Sequence, residues 1–338
     1  MIATRNLRRA RVLIVGCGDV GMRALPLLQA RAAAPRIVAL THHPERAGEL
    51  RAAGATPISG DLDLRRSLTR LAGLARDVLH LAPPQRDGDG DRRTRALIAA
   101  LRRPRRSVAR AAKSRWLHAD RAGKTSFIVP DGLRAATKRR AGPRMRFVYA
   151  STTGVYGDCA GAWIDETRPA RPENERARRR VSAETQLRAA GVESAWRVSI
   201  ARIPGIYAAT RLPIARIEKG MPALVESDDV HTNHIHADDL AAILVRMLSR
   251  GRAQRVINAS DDTDLRMADY FDRVADAYGL PRVPRISWQE AQTRLEPVTL
   301  SFMRESRRLS NARLKRELGY ALRHPTVDDF LNGESKAD

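Results

Sequence analysis

The sequence predicts an α/β fold: a doubly wound parallel sheet with a smaller, mostly helical C-terminal lobe. Short β-branched runs alternate with helical patterns through the first two thirds of the chain, and a glycine-rich turn directly follows the first run. After Ala259 the alternation gives way to helical patterns broken by Gly279 and Pro281. With 338 residues, 43% of them hydrophobic, the chain can bury one large core and a smaller one without disulfides.

The expected strands are 11–15 (RVLIV), 36–41, 55–58, 77–81, 146–150, 198–203 and 255–259. A helix opens at the glycine turn. Pro26 falls past its first turn and removes a backbone donor there, so a kink is expected rather than a break. Further helices are predicted at 44–53, 63–75, 91–103, 174–190 and 238–250, the last capped by Asp238 or Asp239. Helices over 264–278 and in SNARLKRELGY, with Ser310 as N-cap, belong to the small lobe.

Residues 104–143 interrupt this order. The stretch is basic, lacks sustained periodicity and joins a helix to a strand, which sets it at the amino ends of the strands, away from where such sheets bind ligands. It is expected to be a flexible insertion. The formal net charge of +23 suggests a polyanionic partner. Of that excess +12 falls within residues 102–144, but arginine and alanine are abundant along the whole chain and the stretch offers only Trp116 and Phe127 for base stacking, so nucleic-acid binding is disfavoured. Cys17 and Cys159 match no metal spacing and suggest a reducing, cytoplasmic setting; a redox pair between them is the less favoured reading. The first apolar run ends at Val15, too short for a signal core, and no run reaches the roughly 18 apolar residues of a membrane span.

Residues 16–21, GCGDVG, have G-x-G-x-x-G spacing between a strand and a helix. Gly16 permits the tight turn, Gly18 lets a pyrophosphate approach the backbone and Gly21 lets helix and strand pack closely, while the helix end offers N–H groups to phosphate. A dinucleotide is therefore expected on Gly16, Cys17, Gly18, Asp19, Val20 and Gly21. About 20 residues on, a carboxylate would mark NAD. The chain has Thr41, His42 and His43, then Glu45 and Arg46, which favours NADP over NAD. Asp61 and Leu62 follow the third strand where adenine is contacted, with Asp61 also able to cap the next helix. Leu81, Ala82 and Pro83 are expected along the cofactor channel.

Together with GDLDL, VLHLAPP, ARIPGIY and NHIHADDLA, the run VYASTTGVYGD resembles the extended short-chain dehydrogenase/reductases, the epimerase/dehydratase family, over nearly all of the chain except 104–143. The resemblance implies a Rossmann domain over 1–204 and 233–260, a substrate lobe over 205–232 and 261–330, and a tail at 331–338. It also implies a Ser or Thr at Thr152 and a Tyr-x-x-x-Lys pair on the following helix. Counted back from Glu184, that pair falls on Arg176 and Arg180. Arginine is effectively never deprotonated, so Arg176 cannot perform the tyrosine's proton transfer, although Arg180 can still hold the cofactor ribose. The chain thus looks like an atypical branch. Thr153 and Gly154 stand where sugar-nucleotide dehydratases have Asp-Glu, which argues against dehydration.

The remaining candidates for acid–base work are Tyr156 and His236, each with a structural role as the alternative; Tyr207 and His234 are expected to face substrate. The leading expectation is a homodimeric oxidoreductase or epimerase acting on a small polar or nucleotide-linked substrate, with no metal. A non-catalytic NADP-binding sensor or scaffold is the alternative, followed by a nucleic-acid-associated protein.

Overall fold

A computed structural model describes residues 10–102 and 145–334. The basic insertion of the sequence analysis lies outside the described residues. Seven parallel strands form one sheet: β1 (Arg11–Val15), β2 (Arg36–Thr41), β3 (Thr56–Ser59), β4 (Asp77–His80), β5 (Arg146–Thr152), β6 (Arg197–Ile203) and β7 (Arg255–Asn258), in the order β7-β6-β5-β4-β1-β2-β3. Chain order reverses between β1 and β4, where Val12–Val15 lie opposite Asp77–His80. That switch point opens a crevice at the carboxyl ends of the strands. All seven strands were anticipated, two of them with the expected boundaries and the others with boundaries moved by at most two residues.

Central strands are apolar on both faces because helices cover both; Val12, Leu13 and Ile14 are fully buried. On one face α1 (Asp19–Gln29) packs beside α6 (Ala237–Arg250). On the other lie α3 (Arg92–Arg102) and α4 (Glu175–Glu193). The short α2 (Ala47–Ala52) continues from a 3₁₀ turn begun by Pro44. α1 runs through Pro26, whose carbonyl accepts from the Ala30 N–H. Asn174 caps α4 by accepting from the Ala177 N–H.

Three local expectations need correction. The helix expected at 63–75 is a 3₁₀ segment, Arg65–Leu71, because the Ser67 hydroxyl donates to the carbonyls of Asp61 and Leu64 and competes with the α pattern. Neither Asp238 nor Asp239 caps α6. His236 does so by accepting the Asp238 N–H on Nδ1, while Asp239 turns inward to accept from the Tyr320 hydroxyl and the N–H groups of Arg323 and His324. Within SNARLKRELGY the regular turn is a π-helix, Leu314–Leu318, ended by Gly319 in the left-handed region.

The second lobe collects α5 (Ile214–Glu218), α7 (Met267–Ala277) and α10 (Val327–Glu334) around Tyr207, Phe271, Val274 and Phe330, while α8 (Trp288–Arg294) and α9 (Pro297–Phe302) pack around Leu224, Ile286, Ala291 and Met303. α10 runs through residues 331–334, which were expected as tail, and Leu331 is buried. Gly205–Tyr207 pairs in parallel with His234–His236.

Candidate cofactor and substrate site

The glycine turn has the geometry that a phosphate cradle needs. Gly16 has φ +84°, and a Cβ there would stand 2.5 Å from the Ala82 nitrogen. The turn is this close to β4 because the N–H groups of Leu81 and Ala82 both donate to the Val15 carbonyl. At Gly18, the N-cap of α1, a Cβ would meet nothing within 4 Å. That open space lies before the amino end of α1, the kind of position that favours an anion. Gly21 faces back to the turn, its Cβ position 3.2 Å from Cys17 Sγ.

Charged groups frame the turn. Asp19 accepts from Arg23 and Arg211 at 2.9 and 3.0 Å. Burial would raise its pKa, but these hydrogen bonds and charges leave it below the usual carboxylate value. Arg46 donates to the Cys17 carbonyl at 2.8 Å and, with its other nitrogens, to both oxygens of Glu49. Helix geometry brings Glu49, three residues on, against Arg46, so this cation is already paired. Cys17 meets the site through its backbone. Its thiol is buried, and burial pushes its pKa up to about 11.

Thr41 and His42 end β2 in a local turn, with the Thr41 hydroxyl accepting the His43 N–H and His42 packed on His43. The Asp61 carboxylate accepts from the Asp63 N–H just before the 3₁₀ segment, and Leu62 is buried. Asp63 pairs with Arg93, which also reaches the Pro83 carbonyl, linking the loops after β3 and β4. Neither Asp63 nor Arg93 was foreseen, since the link spans separate elements.

Further in, a cavity of about 240 Å³ is lined by Val20, Leu81, Thr152, Arg180 and apolar residues including Ile203 and Leu240. A second cavity, of about 350 Å³, shares Thr152, Arg180 and Pro204 with the first and extends over Arg176, His231, Glu305 and Arg307. A third, also about 350 Å³, continues into the small lobe past His234, Tyr270 and Arg216. Thr152 lies at the end of β5, where its hydroxyl accepts the Gly154 N–H. Arg180 donates to the Ala150 carbonyl and Tyr149 hydroxyl at 2.8 and 3.2 Å, and Arg176 to the Ser301 hydroxyl at 3.0 Å. The two arginines, four apart on α4, thus share the face turned to Thr152.

Tyr156 and His236 do not join this group. Tyr156 is fully buried, donates to Asn258 Oδ1 at 2.7 Å and lies under the Arg202 guanidinium, in a network with the Glu184–Arg202 pair. His236 is enclosed by Tyr207, His324 and Phe330, and burial together with the His324 charge lowers its pKa to about 4. His234 lines the third cavity, but burial lowers it to about 3. Tyr207 is likewise buried, its hydroxyl donating to the Thr326 carbonyl, so it supports the lobe instead of facing a cavity. The donor atoms of His236, Asp238 and His324 lie within 4.8 Å of one another, although Asp238 is held by Arg23 and His236 by its cap bond.

Sequence reasoning missed Glu305, Arg307, His231 and Asn174 as cavity residues. RESRR at 304–308 carries no motif, and only chain return brings it beside Gly154.

Comparison with known proteins follows the same outline. The profile of the NAD dependent epimerase/dehydratase family matches residues 12–260. GDP-6-deoxy-D-mannose reductase of Pseudomonas aeruginosa is 29% identical over 145 residues, 38% of this chain and 48% of that protein, so the match spans about half of the relative's length. Among solved structures, a functionally unknown conserved protein from Silicibacter pomeroyi DSS aligns with TM-score 0.69 and 26% identity over 97% of this chain and 99% of the other. A nucleoside-diphosphate-sugar epimerase from Pseudomonas aeruginosa aligns with TM-score 0.68 and 17% identity over 96% and 95%, a likeness of fold.

Proposed function

Because the chain belongs to the NAD-dependent epimerase/dehydratase family, we propose that it holds a nicotinamide cofactor along Gly16–Gly21 and acts as an oxidoreductase or epimerase on a small polar or nucleotide-linked substrate. The observation that carries this reading is the junction of two cavities at Thr152, Arg180 and Pro204. One cavity runs towards the glycine turn and the other into the second lobe. When bound, the cofactor supplies hydride transfer to or from a substrate carbon.

The chain's own groups would then divide the work. Gly18 leaves room for the pyrophosphate, with Val20 and Leu81 bordering the inner cavity. Thr152 orients the reacting oxygen, and Arg180 offsets negative charge near it. A guanidinium does not exchange a proton near neutral pH, so neither arginine supplies the proton exchanged at that oxygen. In this reading residues 1–204 with 233–260 serve the cofactor, 205–232 with 261–330 serve the substrate, and the protein works as a cytoplasmic homodimer.

We assign a preference for NADP to Arg46, moderated by Glu49. A 2′-phosphate has to draw the guanidinium away from the Glu49 carboxylate, so the preference is smaller than for an unpaired cation.

A second reading, cofactor binding without catalysis, is favoured by Arg176 standing at the tyrosine position and by the enclosure of Tyr156 and His236. One experiment addresses both. NADPH and NADH binding is titrated, and the saturated protein is then mixed with nucleoside-diphosphate sugars and their keto derivatives while reduced-cofactor absorbance and product isomers are followed. Turnover supports the enzyme reading, and binding without any turnover supports the sensor or scaffold. Binding of neither nucleotide overturns both.

A further inference from the structure

The 350 Å³ cavity beyond Thr152 carries more positive charge than its own carboxylates neutralise. Arg176, Arg180 and Arg307 line it, and Glu305 is the one acid among its lining residues. Glu305 is already engaged. One of its oxygens accepts from Asn174 Nδ2 at 3.0 Å and the other from Arg307 at 2.9 Å. Arg176 and Arg180 pair with no carboxylate among the described residues. Their hydrogen bonds go to neutral oxygens, of Ser301 for Arg176 and of Ala150 and Tyr149 for Arg180. The face of the Phe302 ring lies 4.2 Å from the Arg176 guanidinium carbon and holds that side chain at the cavity. Arg307 adds a buried Nε with no partner.

Arg176 is exposed, whereas Arg180 is half-buried and the Arg307 Nε is fully buried, and a guanidinium so withdrawn loses hydration that neutral oxygens only partly replace. A planar or tetrahedral oxyanion replaces it with charge-assisted, often bidentate, hydrogen bonds. We propose that this cavity is an anion-recognition site, and that the substrate carries a carboxylate or phosphate bound by Arg176 and Arg307, with Arg180 completing the site on the cofactor side. This deepens the proposed function, on which it rests, by fixing the charge of the substrate. It also gives the arginines at 176 and 180 a binding role in place of proton transfer.

The test uses three matched probes on the full chain: glucose, glucuronate and glucose 6-phosphate, titrated calorimetrically with and without saturating NADPH at constant ionic strength. One anionic sugar is expected to bind about ten- to hundredfold more tightly than glucose, and the tighter of the two identifies carboxylate or phosphate as the group. Arg176→Gln and Arg307→Gln are each expected to remove most of that advantage while leaving NADPH affinity unchanged. Equal affinity for all three sugars, no detectable binding, or an advantage that survives both substitutions in folded protein overturns the proposal. Failure of NADPH to bind overturns the functional reading separately, because the anion titration is also made without cofactor.

Discussion

Gly16 and Gly18 stand two residues apart in one turn, yet their substitutions should fail in different ways. Gly16→Ala imposes a side chain at φ +84°, which costs about 1–2 kcal/mol. The new Cβ would also lie 2.5 and 2.6 Å from the nitrogen and Cα of Ala82. These are backbone atoms, fixed by the hydrogen bonds from Leu81 and Ala82 to Val15, so no side chain can swing aside. Overpacking of this kind adds about 1–3 kcal/mol, for a total of about 2–5 kcal/mol. Gly18 has φ −85° and ψ −155°, and its Cβ position is open to beyond 4 Å. Gly18→Ala should therefore cost less than about 1 kcal/mol as a poorer cap. The space it fills is that of the proposed pyrophosphate, and Gly18→Val fills more of it, so cofactor affinity should fall about tenfold or more. Urea denaturation measures the first effect, and fluorescence titration with NADPH and NADH measures the second. A Gly16→Ala protein as stable as the parent would refute the account of the turn. Unchanged cofactor affinity in folded Gly18→Val would refute the cradle.

Arg202 and Glu184 form a buried pair at 2.8 Å, so Arg202→Ala, which leaves the buried charge with the Ser151 hydroxyl but no cation, should destabilise by about 3–5 kcal/mol, while Arg202→Met with Glu184→Gln should recover much of it. Chemical denaturation of the three variants would decide, and a small loss in the single variant would show that water reaches Glu184. Burial pushes the Asp261 carboxyl up to about 7, with one oxygen unpartnered. The folded state thus holds a proton that the unfolded chain releases near pH 4, and the stability it contributes is lost as pH rises towards 7. Asp261→Asn should be more stable than the parent at pH 8 and no more stable at pH 4; a pH-independent difference would contradict this. Glu49→Gln should free Arg46 and raise NADPH affinity relative to NADH, whereas Arg46→Ala should lower that ratio. Parallel changes for both nucleotides would make the pair a surface feature only.

What the sequence determined by itself was local in origin. Strand runs such as RVLIV and RFVYA are legible because strands buried on both faces must be continuously apolar. The glycine turn is legible because a left-handed residue, an open N-cap and a close packing contact each select glycine at a fixed spacing. Even the face shared by Arg176 and Arg180 followed from counting along one helix. Contacts between distant segments were decided only by the tertiary structure. Glu49 sits one helical turn from Arg46, but only the fold closes the pair over the Cys17 carbonyl. Chain return from residues 305–307 brings Glu305 and Arg307 beside Gly154, and nothing in RESRR announces a cavity. Tyr156, Tyr207, His234 and His236 carry chemistry that the sequence could only offer as candidates. Their roles were decided by burial: the packed lobe and sheet desolvate them, hold the two imidazoles neutral and turn the two hydroxyls to Asn258 and to the Thr326 carbonyl.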